Sequence, residues 1–204
     1  MSRDFHYAND LTGGSLQVRE SRIIADLLLQ QADAATWQQA VLHDNRLQKR
    51  SPATARRIAQ ALRKRLEKLE QPFWRELRDG DDELATQIAF CAALERNLLL
   101  VEFMETVVQD AYLTQTPQLQ AWQWAEFLED RTHRDPLIAT WTESSRKKMG
   151  QVVFRMLAEV GLLQSTRSLR LQHILVRPEV RVLLEDSSRR RLIACLNISA
   201  SLNK

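Results

Sequence analysis

Arg56, Arg57, Gln60, Arg63 and Lys64 lie within nine consecutive positions of this chain. A second set, Ser144, Ser145, Arg146, Lys147, Lys148, Gln151 and Arg155, is grouped in the same way further along. Guanidinium groups fork onto carboxylates, phosphates and the edge of guanine; ammonium groups act as point charges, and amides can pair with adenine. Gathered on one helix face, such side chains suit a polyanion, because each phosphate neutralised releases condensed counterions. The plainer reading is a pair of solvated helix faces.

The charge is arranged in blocks. Residues 46–78 carry eleven Lys/Arg and three Asp/Glu, residues 79–143 carry three and thirteen, and residues 144–204 carry twelve and four. The whole chain is only +3, so two cationic stretches flank an acidic middle. The chain is 204 residues, 44% apolar and 27% charged, which fits a soluble globular protein rather than a disordered one. With five Gly and five Pro, it reads as helices joined by short loops. We expect an all-α, mainly helical fold in three regions, 1–78, 79–135 and 136–204, forming one compact unit.

Local signals place the cationic sets on helices. Ile23, Ile24, Leu27 and Leu28 mark a first helix within 17–31, and Asp33 or Thr36 caps a second, running to about Asn45. After a polar link, Ser51-Pro52 opens a helix to about Glu70: serine accepts from an orphan N–H, and proline at the first position has none to lose. Ala55, Ile58, Ala59, Leu62, Leu66 and Leu69 form its apolar face, leaving Arg56, Gln60, Arg63 and Lys64 opposite and Arg57 beside them. The Asp79-Gly80-Asp81-Asp82 run reads as a turn with caps, and its spacing fails for a calcium loop. Helix follows from Asp82 to about Thr114 in two pieces, and Pro117 opens another bearing Trp122, Trp124, Phe127 and Leu128 as core anchors. A base-stacking role for these aromatics is disfavoured by their acidic surroundings.

Asp135-Pro136 starts a short helix ending near Trp141, and Thr140 or Thr142 caps the next. There Met149, Val152, Val153, Met156, Leu157 and Val160 face inward, with Arg146, Lys147, Gln151 and Arg155 on other faces. Gly161 ends the helix in a left-handed cap with Leu162 folding back. Residues 169–176 read equally as a strand of a small wing hairpin or a short helix. Pro178 opens a last helical region, interrupted at Ser187-Ser188 and resuming through Leu192 to Leu196.

Enzyme signatures are missing: no phosphate-cradling glycine loop, no nucleophile elbow, and four scattered histidines (His6, His43, His133, His173) without metal-ligand spacing. No catalytic residue, cofactor or metal is expected. Cys91 and Cys195 read as buried thiols. Apolar runs such as Leu98 to Val101 are far short of the ~20 residues of a membrane span. With no apolar leader after Met1-Ser2-Arg3-Asp4, the expectation is a cytoplasmic protein without membrane contact.

Two short helices, each followed by a capped basic helix, lay out two helix-turn-helix units, with segments 36–45 and 136–141 supporting and 52–70 and 142–160 reading. Lys49, Arg50, Ser51 and Thr54 would sit at the groove entry of the first. Ser144, Ser145, Arg146, Lys147 and Lys148 would do so in the second. Double-stranded DNA is the favoured partner. A protein adaptor docking its basic faces on other components, and an RNA-binding helical protein, are the alternatives.

The chain also resembles the BrxA family of bacteriophage exclusion (BREX) systems. Tyr7, Leu11-Thr12-Gly13-Gly14, Glu20-Ser21, Ile24-Ala25, Asn45, Arg50-Ser51, Thr54-Ala55 and Arg57-Ile58 carry the likeness in the first half. Trp141-Thr142, Lys147, Arg155-Met156-Leu157-Ala158-Glu159 and Gly161-Leu162-Leu163 carry it in the second. The resemblance implies an all-helical, monomeric, cytoplasmic DNA-binding accessory protein in phage defence, alongside other BREX components. It brings no catalytic residues.

Overall fold

The computed structural model describes residues 5–200; the opening residues 1–4, on which the reading of the N-terminus begins, lie outside them. The chain is all-α. Its helices are α1 Val18–Leu29, α2 Ala34–Gln38, α3 Pro52–Leu66, α4 Gln71–Asp79, α5 Asp82–Arg96 and α6 Leu98–Phe103. They continue with α7 Gln109–Leu113, α8 Trp122–Thr132, α9 Glu143–Glu159, α10 Pro178–Asp186 and α11 Arg190–Leu196. Single π turns prolong α2 (Gln39–His43) and join α6 to α7 (Met104–Val108), and a 3₁₀ turn, Pro136–Thr140, precedes α9. Among the described residues no single helix is long and apolar enough to cross a membrane.

The residues divide into two compact units. One comprises Leu16–Arg96 with Arg177–Arg189; the other comprises Asn97–Val176 with the N-terminal residues up to Ser15 and the C-terminal residues from Arg190. In the first, α1 packs on α3, α4 and α5, and α10 on α4 and α5. α5 is apolar almost all round and is buried from Leu84 to Leu94 but for Thr86, as expected of a helix surrounded by others. Its one buried amide, Gln87, accepts the Arg177 N–H at 3.0 Å. Arg189 fastens the end of α10 to the α3–α4 corner. It donates to the Lys68 carbonyl (3.0 Å) and to both oxygens of Glu70 (2.7 and 2.8 Å), and lies 5.4 Å over the Phe73 ring.

The second unit is built around Phe103, whose ring meets Trp124, Phe127 and Phe154 edge-on at centroid distances of 5.2, 5.3 and 6.0 Å. Trp124 reaches this position because α9 has Gly150 beneath it; a Cβ there would stand 2.5 Å from Trp124 Cδ1. Alanine at 150 forces the indole or the helix to move. We expect Gly150→Ala to cost about 2 kcal/mol, read as a lowered unfolding midpoint in a thermal or urea melt.

A buried charge network ties the N-terminal segment to this unit. Glu102 accepts from Tyr7 Oη (2.8 Å) and Arg134 Nη1 (2.6 Å), and Arg131 Nε stands 2.6 Å from it as an ion pair, not aligned to donate. Burial first, then the Glu102 carboxylate, pushes the Tyr7 phenol up to about 12. Asp135 is also buried, and burial alone would raise its carboxyl. Bonds from the Tyr7 N–H (2.8 Å), His6 (3.1 Å) and the Leu137 N–H (3.1 Å) outweigh that and hold it below the usual range.

Several local expectations need correction. The helix opened by Ser51 ends at Leu66, not Glu70, and α4 follows as a separate helix. Pro117 opens no helix: residues 117–120 run extended because the Leu119 N–H bonds the Leu169 carbonyl (2.9 Å) and the Leu171 N–H bonds the Pro117 carbonyl (3.0 Å). Leu163 and Gln118 form isolated antiparallel bridges with Leu171 and Arg170. That pairing engages 169–171, and no wing strand forms among the described residues. Trp122 is 59% exposed and anchors no core, unlike Trp124, Phe127 and Leu128. Gly161 does take the left-handed cap (φ 89°), but Leu163 rather than Leu162 folds back, bonding the Leu157 carbonyl at 3.1 Å.

Candidate nucleic-acid interface

The first basic set lies on α3, which starts as its sequence demands. Ser51 Oγ accepts the Thr54 N–H at 3.2 Å, and Pro52 takes the first helical position. Ala55, Ile58, Ala59, Leu62 and Leu66 are buried, so Arg56, Arg57, Gln60, Arg63 and Lys64 all lie exposed on the other side. At ~100° per residue these five cover an arc of about 120°. Arg56, Arg57 and Lys64 have no acidic partner among the described residues. Arg63 is more constrained: it bonds Glu67 at 2.6 Å and lies 4.7 Å over the Trp37 ring.

The link from α2 into α3 is a built turn rather than a loose loop. Leu47 is fully buried, and its carbonyl accepts Arg19 Nη2 at 2.7 Å. Asn45 clasps Lys49, accepting its N–H at 2.9 Å and donating to its carbonyl at 3.0 Å. Asn45 and Gln48 both take positive φ (46° and 51°), conformations asparagine tolerates better than glutamine. The Lys49 ammonium reaches Glu20 at 2.7 Å. Burial alone would raise the Glu20 carboxyl, but the bonds from Lys49, its own backbone and Arg19 hold it below the usual range. Lys49 therefore braces the turn, while Arg50 beside it is exposed.

The second set lies on α9, capped by Thr142, whose Oγ1 accepts the Ser145 N–H at 3.2 Å. Lys147, Gln151 and Arg155 follow at four-residue steps, with Ser144 and Lys148 beside them, and all five are exposed. They share an arc of about 100°. Ser145 is half-buried and Arg146 turns inward. Arg146 Nη2 donates to the Ile138 carbonyl at 2.8 Å, Nη1 stands 3.6 Å from Glu129, and the Arg146 carbonyl accepts Trp124 Nε1 at 2.9 Å. It locks the 3₁₀ turn and α8 onto α9. The register shows why: Arg146 sits between Met149 and Gly150 on the buried side, a signal legible in the sequence and outweighed by its being basic.

Other members of the basic blocks are paired within their own unit. In the first, Arg46 meets Asp26 (3.0 Å), Arg78 meets Asp79 (2.7 Å) and Arg177 meets Asp81 (2.7 Å). In the second, Arg191 meets Glu105 at 2.6 Å. Block charge thus overstates the cations open to a partner; those on the outer arcs of α3 and α9 are among the ones that remain, with Lys68, Arg75, Arg167, Arg170, Arg181 and Arg190. Beside α9 a cavity of about 690 Å³ opens. Its walls combine α9 with Ala121, Trp124 and Ala125 from the α8 region and with Thr166 and Leu169. Nothing in the local sequence marks it, because its walls come from separate stretches.

The class is therefore an all-helical protein carrying a capped, cationic helix in each of two units. The BrxA family model matches residues 5–188. A BREX protein BrxA from Paramagnetospirillum magneticum is 37% identical over 193 residues, covering 95% of this chain and 97% of that protein. A second, from Escherichia coli O9:H4, is 33% identical and covers 96% and 92%. The crystal structure of an uncharacterized protein from Magnetospirillum magneticum aligns with a TM-score of 0.87 at 35% identity, covering 95% of this chain and 99% of that one. The chain belongs to the BrxA family.

Proposed function

We propose that this chain is a non-enzymatic, double-stranded DNA-binding accessory protein of a BREX phage-defence system, acting in the cytoplasm as a monomer beside other BREX components. One observation carries the reading: the outer arcs of α3 and α9 keep exposed cations without acidic partners, while many neighbouring cations are paired internally. Both arcs begin at side-chain-capped helix starts, where a reading helix meets base edges and phosphates.

In this reading α2 with its π turn supports α3, and the Pro136–Thr140 turn, backed by α8, supports α9. Phosphate contacts supply most of the affinity. The eight residues between His43 and Pro52 exceed the 3–4-residue turn of a simple helix-turn-helix, so buried Leu47 and the Asn45–Lys49 clasp hold the geometry instead. Titration of a labelled duplex against salt tests the proposal. With about six phosphates neutralised, log K should fall against log salt with a slope of roughly −5. No duplex binding at low salt, with a stoichiometric complex formed with another defence component, would replace DNA binding by the adaptor reading. Stronger competition by single-stranded RNA than by duplex DNA would replace it by RNA binding.

A further inference from the structure

The cavity beside α9 is more than a gap in the packing. Its apolar part is formed by Trp124, Phe154 and Leu169, and Ala121 and Ala125, on the same helical face as Trp124, add only methyl groups. Lys147, Gln151 and Arg155 edge it with a cation, an amide and a cation. Lys147 and Arg155 are eight residues apart, about 12 Å along the helix. Glu143 at the helix start adds one carboxylate, and Thr166 one hydroxyl. A volume of about 690 Å³ lies in the range of small-ligand sites, which pair an apolar lining with a few placed polar groups.

We infer that this cavity is a nucleotide site: a base enters against Phe154 and Leu169 beside Trp124, and its phosphates meet Lys147 and Arg155. The Gln151 amide can donate to or accept from the base edge, and the Glu143 carboxylate can accept from an exocyclic amino group. A purely apolar guest would make no use of the two cations and the amide at the rim, which would stay hydrated. Because the rim residues belong to the arc assigned to DNA, the nearest source is an unpaired nucleotide of the bound duplex, drawn out of its stack. In that respect the inference rests on the DNA-binding reading; a free mononucleotide is the other source.

The test uses the full chain and two duplexes, one fully paired and one with a single bulged 2-aminopurine, alongside a deoxynucleoside monophosphate. The bulged duplex should bind about tenfold more tightly, the worth of one stacked base, and its 2-aminopurine emission should change on insertion. Ala125→Trp, at an exposed position, fills the cavity and should abolish the preference, with folding checked by thermal unfolding. Gln151→Leu, also exposed, should lower the preference without filling the space. Saturable mononucleotide binding that Ala125→Trp removes would support the same site with a free nucleotide as its source. Equal affinity for the two duplexes, unchanged emission and no mononucleotide binding would overturn the inference while leaving duplex binding intact. Absence of all duplex binding would sink the DNA-binding reading, and the mononucleotide arm would still decide the cavity.

Discussion

Replacing Arg56, Arg57 and Lys64 together by Glu should weaken binding to a fully paired duplex by at least about 100-fold at moderate salt, since each lost charge-assisted contact is worth about 1 kcal/mol or more. The three side chains are exposed and without acidic partners, so the change removes no internal ion pair and should leave the fold unaltered. Neutralising them with Gln should flatten the salt slope by about three units, one per phosphate contact. Fluorescence anisotropy over several unrelated duplexes separates two roles. A uniform loss marks phosphate contacts; a loss confined to some sequences marks base readout. Undiminished binding by the triple variant would remove α3 from the interface. Lys49→Glu is a useful contrast. Lys49 is held by Glu20, so its reversal should lower stability as well as affinity.

The largest stability effect is expected at Glu102. Its buried carboxylate accepts from Tyr7 and Arg134 and pairs with the Arg131 charge, and Glu102→Leu leaves all three groups facing an apolar side chain. Removing one partner of a buried charge network costs about 3 kcal/mol or more. Arg134, half of whose side chain is exposed, turns to water and limits the loss, whereas Arg131, 16% exposed, cannot do so readily. Urea unfolding should show a midpoint shift of that size. The combined variant Glu102→Leu, Arg131→Leu, Tyr7→Phe should recover much of it, because replacing a whole buried network by apolar groups is far less damaging than leaving part of it unpaired. If Glu102→Leu alone unfolds at the wild-type midpoint, the network contributes nothing to stability.

The two variants probe different levels of the molecule. On the proposed reading, the unpaired charges on the outer arcs of α3 and α9 serve a partner; the charges around Glu102 hold the N-terminal segment on its unit. A tally of basic residues cannot separate these roles, because Arg146, Arg177, Arg189 and Arg191 count the same as Arg56 and are engaged inside the protein.

What the residues determined alone is local. Ser51-Pro52 caps its helix because a side-chain oxygen within three residues of an orphan N–H needs no help from the rest of the chain; of the caps the residues left open, Asp33 or Thr36 and Thr140 or Thr142, the fold takes Asp33 and Thr142. The stripe Ala55, Ile58, Ala59, Leu62 and Leu66 settled which side of α3 is buried, and hence which cations are exposed. Family membership was legible for a similar reason, since short motifs in a set order survive without knowledge of contacts. The tertiary structure alone decided that Lys49 reaches Glu20, that Arg146 turns under the 136–140 turn, that 117–120 run extended against 169–171, and that Arg177–Arg189 join the unit of α1 to α5. It also brought Ala121, Thr166 and Leu169 to the side of α9. Each of these depends on groups far apart in the chain, whose meeting is set by the packing of whole helices and leaves no periodic trace in either partner's own stretch.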